Sequence, residues 1–266
     1  MKLHERRASG SRPRRHSLAR IQIETGLFEP HASMASTRTR PDGRNTPSDM
    51  RPPHLQLGVL SNAQGSAYVE LGNTKAMVGV FGPRESDAAH RDAFTPTGRI
   101  HVDVSFVTFP AKSKVGPRKT AEEAAIARTI QSAFSSVVLL EKFPKLVLDI
   151  NCTVLEKDGS VASALINAAT LALIDAGIEM NDMVSSCTVT LQDEDRVALD
   201  PTGVEEKAQR GSAVVAISPV RGNVTFVESS GTWEEQLWND ALKMAIVGCA
   251  QMDCTMREWL KSRPID

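Results

Sequence analysis

The stretch that most constrains this chain is "KLVLDINCTVLEKDGSVASALINAATLALIDAGI", residues 145–178. Leu146, Leu148, Ile150, Cys152 and Val154 alternate as on a half-buried strand, and a turn of small residues then feeds directly into a helix. Other strand-like runs flank it. "SAYVELG" and "KAMVGVFG" join through Gly72, Asn73 and Thr74, so residues 66–82 read as a hairpin. "HVDVSFVTF" places Val102, Val104 and Phe106 on one face. "SCTVTLQ", "SAVVAISP" and "NVTFVES" follow the helix.

Two further helices are predicted. "AEEAAIARTIQSAFSSVVLLEKF" carries apolar residues at Ile126, Ile130, Ala133, Phe134, Val137 and Val138. The C-terminal run opens on Thr232 and Glu235, the spacing of a capping box. Its apolar stripe runs through Leu237, Ala241, Met244, Ala245, Gly248, Cys249, Met252, Met256 and Trp259, which reads as core packing. Strands and helices in mixed order, with hairpins, predict an α+β domain of mixed sheets packed with helices, not a doubly wound parallel sheet.

Composition narrows the function classes. Of 266 residues 41% are apolar, but no apolar run approaches the roughly 18–20 residues of a membrane span, so no membrane partner is expected. Cys152, Cys187, Cys249 and Cys254 form no CxxC pair and have no histidine at zinc spacing, which predicts reduced thiols and no metal. The net charge of −1 hides an asymmetry, since residues 1–44 carry ten Lys/Arg against four acids. The first 39 residues, rich in Arg, Ser and Pro, read as a disordered basic tail before a domain spanning residues 40–266. That tail has three readings: an RNA-binding arm, a targeting peptide, or an idle extension with Met34 as the true start.

Several groups could carry chemistry. Gly159 and Ser160 before the central helix suit either an ordinary N-cap or an anion site at the helix N-terminus. Asp200, Glu205 and Glu206 lie just past a strand, where an acid or base could sit, whereas Asp193, Glu194 and Asp195 read as a solvated hairpin tip. The loops bearing Arg84 and Arg91, and Lys112, Lys114, Arg118 and Lys119, suit an RNA phosphate backbone.

Four motifs in order resemble the RNase PH family: "RPDGR" from Arg40, "GSAYVELGNTKAMVGVFGPRE" from Gly65, "DGSVASALINAATLALIDAGIEMND" from Asp158, and "LDPTGVEE" from Leu199. The resemblance implies an RNase PH-like domain of the ribosomal protein S5 domain 2-like class, assembled in six-membered rings around an RNA-sized pore. Active members degrade RNA from its 3′ end with inorganic phosphate as the attacking group. Where they carry a phosphate-binding Arg, this chain has Val161; where an Arg pair grips RNA, it has Ala121 and Glu122; where two acids stand six residues apart, it has Glu206 and Ser212.

The resemblance therefore implies an inactive ring subunit of the RNA exosome with no catalytic residues and no cofactor. Its implied partners are other RNase PH-like ring subunits, S1/KH cap subunits and single-stranded RNA, in the nucleus, nucleolus and cytoplasm. RNA processing and degradation, including rRNA processing, would be its setting. An active phosphate-dependent 3′–5′ exoribonuclease is the enzyme alternative, and a free-standing RNA-binding protein is a third.

Overall fold

The computed structural model describes residues 40–85, 97–107 and 120–263. Five strands form the first sheet: β1 (Pro53–Leu57), β2 (Gly65–Leu71), β3 (Thr74–Glu85), β4 (Arg99–Phe106) and β5 (Leu146–Glu156), in the order β1-β2-β3-β5-β4. The pair β4 and β5 runs parallel, as it must when helix α1 (Ala121–Ser135) crosses between the two strands. The second sheet is antiparallel throughout, with β6 (Ser185–Leu191), β7 (Val197–Leu199), β8 (Gly211–Ser218) and β9 (Asn223–Gly231) in the order β7-β6-β8-β9. The α+β expectation holds.

Helix α2 (Val161–Asp175) lies between the sheets, against β2 and β3 on one side and β6 and β8 on the other. A helix walled on both sides has no solvent stripe, which explains why its sequence is apolar nearly all round. Its few polar side chains are satisfied within the core. Asn167 exchanges two hydrogen bonds with the Ser186 backbone, donating at 3.0 Å and accepting at 2.9 Å, and the Thr170 hydroxyl donates to the Val184 carbonyl at 2.7 Å. Gly65 permits the close approach of β2, since a Cβ there would fall 2.1 Å from the Ala176 nitrogen. Helix α4 (Glu235–Ser262) covers the far face of the second sheet with its predicted stripe from Ala241 to Met256.

The hairpin of β2 and β3 forms as predicted around Gly72, whose φ is +58°. Thr74, the first residue of β3, holds the hairpin against the turn before α2. Its hydroxyl donates to the Gly159 carbonyl at 2.7 Å and accepts from the Asp158 N–H at 3.1 Å.

Three local expectations differ. Helix α1 ends at Ser135, because the β-branched Val137 and Val138 leave the helix and Val138 bridges to Met180 in extended form. The Thr232–Glu235 capping box does not form: α4 begins after Glu234, which makes no side-chain cap. Trp233 is held instead by the second sheet, its indole N–H donating to the Ser230 carbonyl at 3.1 Å, with its ring set edge-on to Trp238 at 5.3 Å. The five-residue helix α3 (Gly203–Lys207) has no counterpart among the predicted elements. The basic tail lies outside the described residues.

Candidate functional site

Strand β5 and helix α2 meet at residues 157–160, and this turn packs against α3. Gly159 (φ +79°) has no room for a Cβ, which would fall 2.3 Å from the Pro201 carbonyl oxygen. Ser160 follows in the left-handed region at φ 53°. It stands at the N-cap position, but its side chain does not cap the helix; its Oγ donates to the Pro201 carbonyl at 3.2 Å. The Ser160 backbone N–H donates to Glu206 Oε1 at 2.7 Å. The helix entrance thus already carries a carboxylate from α3. The next residue, Val161, is buried in the core, 5% exposed.

The three carboxylates considered as acid or base divide into two kinds. Asp200 receives Arg51 in a fork, Nη2 at 2.6 Å and Nε at 2.8 Å, with the Arg51 backbone N–H also donating at 3.0 Å. Burial alone would raise its pKa, but the Arg51 guanidinium brings it below the ordinary value. Glu205 is gripped in the same way by Arg40, Nη2 at 2.7 Å and Nε at 2.8 Å, while closing the α3 capping box with Thr202. Here too burial pushes upward, yet Arg40 and the Thr202 N–H bring the carboxyl down to about 2. Both are structural anions: Glu205 ties Arg40 of the "RPDGR" segment to the second sheet, and Asp200 ties Arg51 and, at 3.5 Å, Arg44 to it.

Glu206 differs. Burial is the largest influence and raises its pKa, against the Ser160 N–H and the Lys157 charge, which lower it. Asp193 and Asp195 lie exposed in a tight turn between β6 and β7, as the solvated-tip reading expects, with Asp195 Oδ1 accepting from Arg210 at 3.0 Å.

The positions matched to RNA and catalytic residues are also placed. Glu122, in the first turn of α1, is exposed and forms an ion pair with Lys157. Lys157 in turn sits 5.5 Å from the centroid of the Phe106 ring. Sequence reading passes over Lys157, whose partner lies 35 residues away in α1. Ser212 points its hydroxyl at Ser230, 2.8 Å across the β8–β9 pair. Arg84, 47% exposed at its side chain, is ion-paired with Asp149. Arg91, Lys112, Lys114, Arg118 and Lys119 lie outside the described residues.

Burial pushes the thiols of Cys152, Cys187 and Cys249 upward, away from reactive thiolate. Among the described residues no group of three or more His, Cys, Asp or Glu side chains could hold a metal ion. None of their helices is long and apolar enough to cross a membrane.

Two family models match the chain, the 3′ exoribonuclease family domain 1 over residues 49–179 and domain 2 over residues 182–248. The exosome complex component RRP41-like of Arabidopsis thaliana is 36% identical over 223 residues, covering 84% of either protein. The exosome complex component Rrp41 of Thermococcus gammatolerans is 33% identical over 225 residues, 84% of this chain and 89% of its own. Among solved structures, rice (Oryza sativa) Rrp46 superposes with a TM-score of 0.72 at 23% identity, over 82% of this chain and 98% of that one. The Archaeoglobus fulgidus exosome with RNA bound to the active site gives 0.70 at 22% identity, over 84% and 95%. These superpositions show a shared RNase PH-like fold.

Proposed function

We propose, starting from the fact that this chain belongs to the RNase PH, or 3′ exoribonuclease, family, that it is a catalytically inactive ring subunit of the RNA exosome. Its work is to hold neighbouring RNase PH-like subunits and S1/KH cap subunits and to help thread single-stranded RNA. Its sequence resembles the mRNA transport regulator 3 (exosome component 6) type of subunit, through "GSAY", "DAGIEMND" and "LDPT" followed by two Glu.

The observation that carries the inactive reading is the entrance of α2. Active relatives place a phosphate-binding Arg there, and this chain places the aliphatic, buried Val161. An aliphatic side chain offers phosphate neither charge nor hydrogen bond. Other losses point the same way, with Glu122 engaging Lys157 in an ion pair and Ser212 facing a second hydroxyl. Losing one preorganised stabiliser of this kind costs about a hundred- to a thousandfold in rate.

The test is a reconstituted exosome core carrying this subunit as wild type or Glu206→Ala, assayed on single-stranded RNA with and without phosphate. Equal activity of the two complexes is expected, and no nucleoside diphosphate from the chain alone. Phosphate-dependent diphosphate release that Glu206→Ala abolishes would establish the enzyme alternative instead.

The RNA contacts proposed for this subunit are Arg84, Arg91, Lys112, Lys114, Arg118 and Lys119, all sequence-indifferent. Replacing each phosphate-binding side chain by alanine should reduce the slope of log K against log salt by about 0.7 for single-stranded RNA. An unchanged slope in the sixfold alanine variant would remove the assignment.

A further inference from the structure

We propose that residues 20–28 of this chain, which lie outside the described residues, dock on the free edge of β9 as a fifth strand of the second sheet. β9 ends the strand order β7-β6-β8-β9, and its 9 residues are exposed along most of their length. Among the described residues its outer edge pairs with no strand. The Trp233 indole on the Ser230 carbonyl is the one hydrogen bond its main chain receives there from outside the sheet. Protein edges of this kind are normally blunted by lysine, proline or a covering element. β9 has neither residue, and its single charge, Glu228, is turned to the Thr129 hydroxyl of α1 at 2.8 Å.

One face of this edge is apolar. Val227 stands opposite Val215 and Val224 opposite Ile217, both in the cluster under α4, so Val224 and Val227 lie on the α4 side of the sheet. Helix α4 covers β6, β7 and β8 but stops short of β9, which leaves these two valines 54% and 42% exposed. Trp233 and Trp238 close the strip at the end of β9. A strand that fits there carries apolar side chains on one face and polar ones on the other. "RIQIETGLF", residues 20–28, has that pattern, with Ile21, Ile23, Thr25 and Leu27 on one face, Gln22, Glu24 and Gly26 on the other, and Pro30 to end it. It is the longest such alternation in residues 1–39.

The tether is long enough. The described chain starts at Arg40, whose guanidinium donates to the Leu199 carbonyl at the end of β7. β9 lies three strands across the sheet, about 14 Å at about 4.8 Å per strand, and residues 29–39 extend to about 36 Å. Such a tether holds the segment at an effective concentration of order millimolar, so weak pairing suffices. Charge selects it over a second copy of this chain. Arg12, Arg14, Arg15 and Arg20 precede or open the segment, and the exposed Glu234 and Glu235 stand just past β9. A second copy of β9 would bring the same acids to the same edge. Docking of residues 20–28 is independent of the inactive reading, and any partner strand at β9 must displace it.

The experiment follows hydrogen exchange in the full-length wild type, in the double variant Ile21→Lys with Ile23→Lys, and in Val227→Lys, each at two protein concentrations. In wild type the amides of residues 20–28 and of β9 should exchange at least about fivefold more slowly than in the double variant, with β9 still ahead of α2. Val227→Lys should release residues 20–28 to the same extent. Unchanged exchange of Leu165 to Leu173 shows that the domain is intact, and the double variant, altered only outside it, carries the test if Val227→Lys unfolds. Residues 20–28 exchanging in wild type as fast as in the double variant would overturn the proposal. So would β9 protection that survives the double variant and grows with protein concentration, which assigns the edge to a second copy. β9 equally unprotected in wild type and double variant would leave the edge to a different protein and overturn it too.

Discussion

Arg40 and Glu205 show how one buried pair can be read at the residue scale. Both side chains are nearly sealed from solvent, and the guanidinium also donates to the carbonyls of Leu199 at 2.9 Å and Asp200 at 3.0 Å. Arg40→Ala removes both close bonds to the buried Glu205 carboxylate, leaving Arg44 at 3.9 Å as its remaining ion-pair partner, and should cost about 3–5 kcal/mol in urea unfolding. A cost below about 1 kcal/mol would show that water reaches the carboxylate. The same pair sets a pH dependence. Glu205 has a folded value of about 2 against an ordinary 4.5, so the folded state binds the proton less readily than the unfolded chain. Its contribution is therefore present above the ordinary value and lost as the pH falls from there toward 2. Glu205→Gln should flatten the fall of the urea midpoint across that window, though Asp200 and Asp182, also lowered, leave part of the slope. At this scale the sequence is legible where the chemistry is local. Val161, Glu122 and Ser212 are read from motif position alone. The pairings of Glu206 with Ser160 and Lys157 with Glu122 span 46 and 35 residues, and no spacing rule reaches that far.

Elements are legible to the extent that their signal repeats. The alternation along β5 predicts its buried face, from Leu148 to Val154, because each residue reports the same face. Helix ends are harder, since a cap depends on one residue whose side chain can be claimed by another partner. Two threonines make the point. Thr120 completes a capping box on α1, accepting from the Glu123 N–H while the Glu123 carboxylate accepts from its own. Thr232 has the same spacing to an acid but caps nothing, because α4 starts after Glu234. Thr120→Ala should cost about 1 kcal/mol and Thr232→Ala less than about 0.5 kcal/mol in denaturant unfolding. Equal costs would mean the α4 cap forms in solution. Helix α3 is not legible because five residues carry no period; it exists through the Thr202 capping box and the bonds from Asp158 and Arg40.

For the whole molecule the determining feature is α2 between two sheets. Hydrogen exchange should place the amides of Leu165 to Leu173 in the slowest class, released only by global unfolding, while β9, an edge strand exposed along most of its length, exchanges early. If α2 exchanged with β9, the two sheets would separate before the core melted. The α+β class is legible from the order of elements, because mixed strands and helices leave few ways to bury each apolar face. That one helix serves both sheets is not, since an apolar run of this length fits a two-sided burial and a one-sided one equally well until its neighbours are placed.

The position of Val161 on that helix has a consequence for descent. Its side chain belongs to the core shared by the two sheets, while the N–H just before it belongs to the site. On the reading proposed above, an exchange of a phosphate-binding Arg for Val there would remove a ligand and add apolar packing in the same step. Under the proposed inactive reading, a subunit that made this exchange would keep its core while losing a phosphate ligand, and could persist by its shape alone.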